Sequence, residues 1–295
     1  MFNRSFVTIA LLASLTFTFP SHASGADHPD SGPAIRGANE TVRFDLLQGY
    51  CIVVHGSAGT LKDLNFLLDT GAMHSTFNSQ IAGKLDLRDE APAGLVLLGG
   101  RVQAESATLP SLEFGPVHLS GLHIYTADLT RFQKVLSLRI DAIIGMDVLG
   151  LKPFVIDYGS RVIRFGTSPA LPNSLPFRLD QGLVVFDAEI DHRPVHLLLD
   201  TGASIVVLFK TDSQPDSGAN DPASHTPVSS GALERDHVRL RALKVGPAEF
   251  RQESAMMVRN PKPSQIDFDG VMSPAALGIS QLSVNLAEGL LEFSR

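Results

Sequence analysis

Apolar and β-branched positions in this chain fall into short runs broken by Gly, Pro, Asp and Asn, a pattern of strands and turns. "YCIVVHG" (50–56) and "LNFLLDTGAMHSTF" (64–77) are two such runs, and "VHLLLDTGASIVVL" (195–208) is a third. The intervening "SAGTLKD" and "IDHRP" carry turn residues and predict hairpins. Helical periodicity is confined to brief stretches. "SPAALG" (273–278) has Ser in capping position, Pro at the first helical position and Gly at the exit, and "GMDVLG" occupies the matching place upstream. The pattern predicts a mostly β protein.

The runs repeat in order. The two Asp-Thr-Gly segments are offset by 200 − 69 = 131, and "LEFGPVHL" (112–119) matches "LKVGPAEF" (243–250) at the same offset. Further on, "DAIIGMDVLGLKPFVIDYGSRVIRF" (141–165) runs against "DGVMSPAALGISQLSVNLAEGLLEF" (269–293) at 269 − 141 = 128. Upstream, "FDLLQGYCIVV" (44–54) answers "FRLDQGLVVFD" (177–187). One unit has been duplicated, so two similar lobes are expected, each with one short helix. Residues 42–167 would form the first and 168–295 the second. "FGTSPALPNSLP" (165–176) would be an extended, unpacked connector between them.

Composition changes this picture little. With 295 residues, 44% of them apolar and 19% charged, the chain is globular and long enough for two cores. Its formal charge of −7 shows no basic stripe, which argues against nucleic acid as a partner. Residues 1–23 place Arg4 before an apolar run and end among small residues, the layout of a secretory signal peptide. That run is short for a membrane span, so no stable membrane insertion is expected and the mature protein would be periplasmic or secreted, an uncleaved N-terminal anchor being the alternative. Residues 24–41, rich in Gly, Pro and small polar residues, would be a flexible leader too short for an inhibitory propeptide. Cys51 is the only cysteine; set in an apolar strand pattern, it reads as a small buried hydrophobe.

The chemistry lies where two apolar runs end on a carboxylate. A lone Asp-Thr-Gly arises by chance about once per 8,000 windows, but a second copy at the same place in a repeat does not. Asp69 and Asp200, related by an internal two-fold, would lie close enough that both cannot ionise together. Such a pair shares one proton. Its ionised member can activate a water and its protonated member can support an oxyanion, with no metal or organic cofactor. The zinc-protease, serine-hydrolase and phosphate-loop motifs are all missing from the sequence.

Both halves resemble retropepsin-like aspartic proteases, in the motif "LLDTGA", the later "IIGMDVLG" and the closing hairpin "FVIDYGSRVIRF". The resemblance spans nearly all of residues 42–293. It implies two closed, barrel-like β lobes of retropepsin type in a bilobal, pepsin-like arrangement, with a cleft between them. It also implies that Asp69 and Asp200 are catalytic, that Thr70 and Thr201 join the two loops across the axis, and that Gly71 and Gly202 bring N–H groups to the carboxylates. The apolar-apolar-Gly strand would cross behind each aspartate loop.

"LVLLGGRVQAES" (95–106), turning at Gly99 and Gly100, is either a flap over the cleft or an ordinary hairpin, and its twin is "VSSGALERD" (228–236). Neither carries the tyrosine of pepsin-type flaps. Where the first half has Gly145 the second has Ser273, for which two roles are open: a helix cap, or a wedge that displaces the Asp200 loop. His74 is expected to serve at the surface or in packing. Ala72 and Ala203 stand where pepsin-like enzymes carry a hydroxyl that lowers the pKa of the acids, which points to a mildly acidic optimum. The expected function is an exported aspartic endopeptidase acting on polypeptides, and a monomer is expected, since one chain carries both acids and needs no second copy to complete a site. The alternative is a non-catalytic extracytoplasmic module that holds an extended peptide by strand addition.

Overall fold

The computed structural model describes residues 15–17, 40–87, 91–97, 100–210, 226–229, 234–259 and 267–295. In chain order the first half contains β1 (Leu15–Phe17), β2 (Thr41–Arg43), β3 (Asp45–Leu47), β4 (Cys51–Ala58), β5 (Leu61–Leu68), β6 (Thr76–Asn78), α1 (Ser79–Lys84), β7 (Ala91–Leu97), β8 (Gly100–Phe114), β9 (Val117–Ala127), α2 (Thr130–Leu136), β10 (Ala142–Ile144), α3 (Met146–Leu149), β11 (Phe154–Asp157) and β12 (Val162–Phe165). The second half contains β13 (Asn173–Asp180), β14 (Leu183–Ile190), β15 (Arg193–Leu199), β16 (Val206–Lys210), β17 (Thr226–Ser229), β18 (Glu234–Val245), β19 (Ala248–Arg259), β20 (Gly270–Met272), β21 (Gln281–Asn285) and β22 (Leu290–Ser294). The protein is mostly β, as the pattern predicts.

Each half closes on itself. In the first, β8-β9-β6-β10-β5-β4 are paired in that order and β8 returns to β4, giving a six-stranded barrel. In the second, β18-β19-β16-β20-β15-β14 do the same, closed by β18 on β14. Closure removes the sheet edges that an open sheet of this size would expose. The interiors are filled by alternate strand positions, among them Phe66, Phe77 and Phe114 in the first barrel and Phe186 and Phe250 in the second.

Between the barrels lies a sheet built by both lobes, in the order β13-β22-β21-β11-β12-β2. Its centre is the antiparallel pair β11 and β21, with Phe154 opposite Val284 and Ile156 opposite Leu282. Three strands come from each half, so the sheet has the same two-fold as the repeat. This seam sets one lobe against the other and thereby sets the spacing of the two aspartate loops.

Two expectations need correction. The helices are not one per lobe: all three described helices belong to the first half, and "SPAALG" forms only turns, with Leu277 N–H bonded to Pro274 C=O at 3.2 Å and Gly278 N–H to Ala275 C=O at 3.1 Å. In α3 the bonds reach one residue further, Leu149 N–H to Gly145 C=O at 3.0 Å and Gly150 N–H to Met146 C=O at 2.8 Å. A four-residue cap-to-cap segment is near the lower limit for a helix, so the spacing of a single hydrogen bond decides between helix and turn. The Pro-rich connector is also not wholly unpacked. Asn173–Pro176 pairs with β22 in the central sheet, and Pro176 is tolerated because β13 is that sheet's edge before it turns into the second barrel. Within the span expected as a signal peptide, β1 pairs with β7.

Candidate active site

Strands β5 and β15 are buried where they approach their ends: Leu67, Leu68, Leu198 and Leu199 are all at most 1% exposed. Each runs beside the crossing strand of its own lobe. β10 lies parallel to β5, with Ile144 opposite Leu68, and antiparallel to β6; β20 lies parallel to β15, with Met272 opposite Leu199, and antiparallel to β16. The last ladder bonds fix the aspartates themselves, Asp69 N–H to Ile144 C=O and Asp200 N–H to Met272 C=O, both at 3.0 Å. The backbone of each acid is therefore anchored by an apolar strand passing behind its loop.

The threonines then lock the two loops together. Thr70 N–H donates to Thr201 Oγ1 at 3.1 Å and Thr201 N–H to Thr70 Oγ1 at 3.0 Å. Each hydroxyl in turn donates across the axis, Thr70 Oγ1 to Leu199 C=O at 3.0 Å and Thr201 Oγ1 to Leu68 C=O at 3.1 Å. These four bonds are buried, and every donor and acceptor in them is used, so the arrangement is rigid.

Asp69 and Asp200 are fully buried. The inner oxygen of each accepts from the N–H two residues on, Gly71 to Asp69 Oδ1 at 2.8 Å and Gly202 to Asp200 Oδ1 at 2.7 Å. The other oxygens, Asp69 Oδ2 and Asp200 Oδ2, have no hydrogen-bond partner, and the two carboxyl groups interact with each other. How tightly the halves meet is shown by the glycines. A Cβ on Gly71 would lie 2.6 Å from the carboxyl carbon of Asp200, and one on Gly202 would lie 2.8 Å from that of Asp69. Only a residue without a side chain fits there. Burial raises both carboxyls above the ordinary range, and for Asp200 the neighbouring charge of Asp69 raises it further. A carboxyl raised in this way keeps its proton to a higher pH than a separate, solvated one.

Ser273 does not displace its loop. In the first lobe Met146 N–H donates to Ala72 C=O at 2.8 Å. The matching residue in the second lobe is Pro274, which has no N–H. Ser273 supplies the missing donor: its Oγ donates to Ala203 C=O at 2.6 Å and also accepts from Ala276 N–H at 3.3 Å. Gly-Met and Ser-Pro are therefore two solutions to the same requirement, a donor for the carbonyl that follows the Asp-Thr-Gly turn. The residues are not interchangeable singly, because a Cβ on Gly145 would lie 2.7 Å from Ala72 O.

Further residues of this region were not expected from the sequence to take part in the site. Tyr50 and Cys51 share a side-chain hydrogen bond, and both feel the charge of Asp200. Burial pushes the Cys51 thiol up to about 12 and the Tyr50 phenol higher still; Cys51 is a buried member of an apolar cluster. Tyr158, beside the central sheet, has a buried hydroxyl without a hydrogen-bond partner. Asp147 holds the N–H and hydroxyl of Ser75. The only sequence signal for Tyr50 was its place after the repeated Gln-Gly pair, whose Gln48 and Gln181 share a positive φ of 51°. His74 is half-buried with its ring edge-on to Tyr125.

β7 and β8 form a hairpin with Leu97 opposite Gly100, and β17 and β18 form its twin with Ser229 opposite Glu234. Gly99 lies outside the described residues, as does the turn of the twin. Among the described residues no group of three or more His, Cys, Asp or Glu side chains is placed to hold a metal ion, and no helix is long and apolar enough to cross a membrane.

Among solved structures, the chain is similar to basic 7S globulin from soybean, at 13% identity and a TM-score of 0.49 over 86% of this chain and 95% of that one, an overlap too loose to bear on activity. Comparison with curated proteins finds no match. The family model described as "Aspartyl protease" matches twice, over residues 53–148 and 186–280, once in each barrel. With both halves of its internal repeat matched, the chain belongs to the aspartyl protease family as a tandem, two-lobed member.

Proposed function

We propose that this protein is an exported aspartic endopeptidase in which Asp69 and Asp200 act as one catalytic pair on a polypeptide held between the lobes. The observation that carries the reading is the pair itself. Two fully buried carboxylates from different lobes face each other, each with one oxygen that has no hydrogen-bond partner, and each is packed against the other loop's glycine. Burying two acids together is costly, and apolar residues would serve architecture better.

The chemistry follows from the shared proton. The ionised carboxylate takes a proton from a water as its oxygen attacks the peptide carbonyl carbon. The protonated partner gives its proton to the carbonyl oxygen, so the tetrahedral intermediate forms without a free oxyanion. Its collapse breaks the C–N bond, with a proton passed to the leaving nitrogen and the pair returned to its singly protonated state. No cofactor enters these steps. The threonine bonds serve the mechanism by keeping the two acids in register, since a small misplacement of reacting groups is expensive.

The leading residues support export, with Arg4 before an apolar run that ends among small residues. A single copy of the chain supplies both acids, so the reading requires only a monomer.

The test is hydrolysis of denatured protein or a peptide library, with and without a statine-type inhibitor, by wild type, Asp69→Asn and Asp200→Asn. Inhibitor-sensitive fragments are expected from wild type alone, with both variants folded and at least about 1,000-fold slower. A variant that cleaves at the wild-type rate refutes the pair. Peptide binding without cleavage by wild type would establish the binding module in place of the enzyme.

A further inference from the structure

The lobes repeat each other, but the loops after the two aspartates are held by different chemistry. After Asp69 the chain reads Ala72-Met73-His74-Ser75, and after Asp200 it reads Ala203-Ser204-Ile205-Val206. In the first lobe the Asp147 carboxylate accepts Ser75 N–H at 2.9 Å and Ser75 Oγ–H at 2.8 Å. Ser75 Oγ accepts Gly145 N–H at 3.1 Å, and Asp147 N–H donates to Met73 C=O at 3.3 Å. One carboxylate thus joins the far end of the Asp69 loop to the start of α3. The matching pair in the second lobe is Val206 and Ala275, whose side chains can form no such bond. There the loop is held by the neutral Ser273 hydroxyl.

The other ionisable groups of this neighbourhood lie in the first lobe too. His74, from the same loop, stands edge-on to Tyr125 of β9 with ring centroids 5.5 Å apart, and His123 of β9 meets Tyr125 at the same distance. The residues matching these three in the second lobe are Ile205, Met256 and Ser254. Burial raises Asp147 above the usual carboxylate range in spite of its two Ser75 bonds, with His74 acting the other way, and burial lowers His74. A carboxyl raised in the fold weakens the fold when it ionises. Stability is therefore a poor reason for keeping Asp147 where the duplicate uses Val and Ala.

We propose that Asp147 is a positioning residue for Asp69, acting through Ser75 and Gly145, so that one acid of the pair is held by an ionisable clasp and the other by a neutral one. The inference rests on the reading of Asp69 and Asp200 as the catalytic pair. When Asp147 takes up a proton, one of its two acceptor oxygens becomes a donor and the Ser75 contact is remade. The acid limb of kcat then contains Asp147 as well as the pair.

The experiment compares Asp147→Asn and Asp147→Ala with wild type in the full chain, reading kcat and KM from pH 3 to 8 together with melting temperature. Asp147→Asn is expected to melt at or above the wild-type temperature at pH 7 while kcat falls about tenfold and KM stays within about twofold. Its acid limb should move to lower pH. Asp147→Ala, which keeps no acceptor, should lose more of kcat, so that the amide gives partial rescue. Wild-type kcat and an unmoved acid limb in both variants, or a lowered melting temperature as the only change, would overturn the proposal. Wild type that neither cleaves peptides nor binds a statine-type inhibitor would refute the catalytic pair beneath it, and this inference with it.

Discussion

Replacing Ser273 with Ala is the sharpest probe of how the second aspartate loop is held. Ser273 is fully buried, and its Oγ is 2.6 Å from Ala203 O. With the hydroxyl removed, that carbonyl has no donor to turn to, since Pro274 lacks an N–H. An orphaned buried acceptor costs about 1–3 kcal/mol. Loss of the cap on Ala276 N–H, long at 3.3 Å, adds about 0.5 kcal/mol, at the low end for such caps. The total of about 1.5–3.5 kcal/mol should lower the melting temperature by roughly 3–7 °C for a chain of this size. Because Ala203 follows Gly202 directly, kcat should also fall, by about tenfold.

The rescue is more telling than the loss. Ser273→Gly combined with Pro274→Met rebuilds the first lobe's solution and should recover most of the stability, the remaining deficit being the roughly 0.4–1 kcal/mol that proline contributes by restricting the unfolded chain. Ser273→Ala combined with Pro274→Met should recover little, because the close approach needs glycine: the equivalent Cβ on Gly145 would lie 2.7 Å from Ala72 O and 2.9 Å from the His74 carbonyl carbon. Thermal melts and peptide-cleavage rates on the four variants form a double-mutant cycle. Ser273→Ala melting within about 1 °C of wild type, or Ser273→Gly left unimproved by Pro274→Met, would show that the hydroxyl does not replace the missing N–H.

Three further outcomes are expected. Cleavage should be bell-shaped in pH with its maximum at roughly pH 4–6.5, since burial raises both acids; Ala72→Ser and Ala203→Ser add a donor that favours the ionised form and should move both limits down, whereas a wild-type maximum near pH 2 would refute this. The same raised values mean that the pair's contribution to stability is fully present below the unfolded carboxyl pKa and is lost as pH rises through the folded one, so melting temperature should fall from mildly acidic to neutral pH in wild type and less so in Asp200→Asn. Gly202→Ala should abolish activity and lower the melting temperature, because its Cβ would meet the Asp69 carboxyl carbon at 2.8 Å; an active, stable Gly202→Ala protein would mean that the loops are not packed as described.

Much of the architecture was legible because it depends on local pattern and on repetition. Apolar runs ending on Asp69 and Asp200, with matching neighbours on either side in the same order, specify strands, lobes and a two-fold without reference to any contact. The period of two along each strand decides which side chains fill a barrel. The helix expectation failed where it relied on local chemistry too fine to decide: "SPAALG" has a good cap, but one turn of chain gains too little from one hydrogen bond to be committed to a helix.

What only the tertiary structure decided is how one lobe answers the other. The resemblance implied the threonine bonds across the axis, but nothing in the sequence says that the connector's end becomes an edge strand or that each glycine lies against the opposite carboxyl group. Ser273 illustrates the difference most clearly. In the sequence it is one hydroxyl where its twin has none; in the fold it replaces a backbone donor that the next residue, Pro274, cannot offer. The reason is physical: the chain itself determines which groups exist and how they alternate, whereas the satisfaction of a buried donor or acceptor depends on which distant groups arrive beside it.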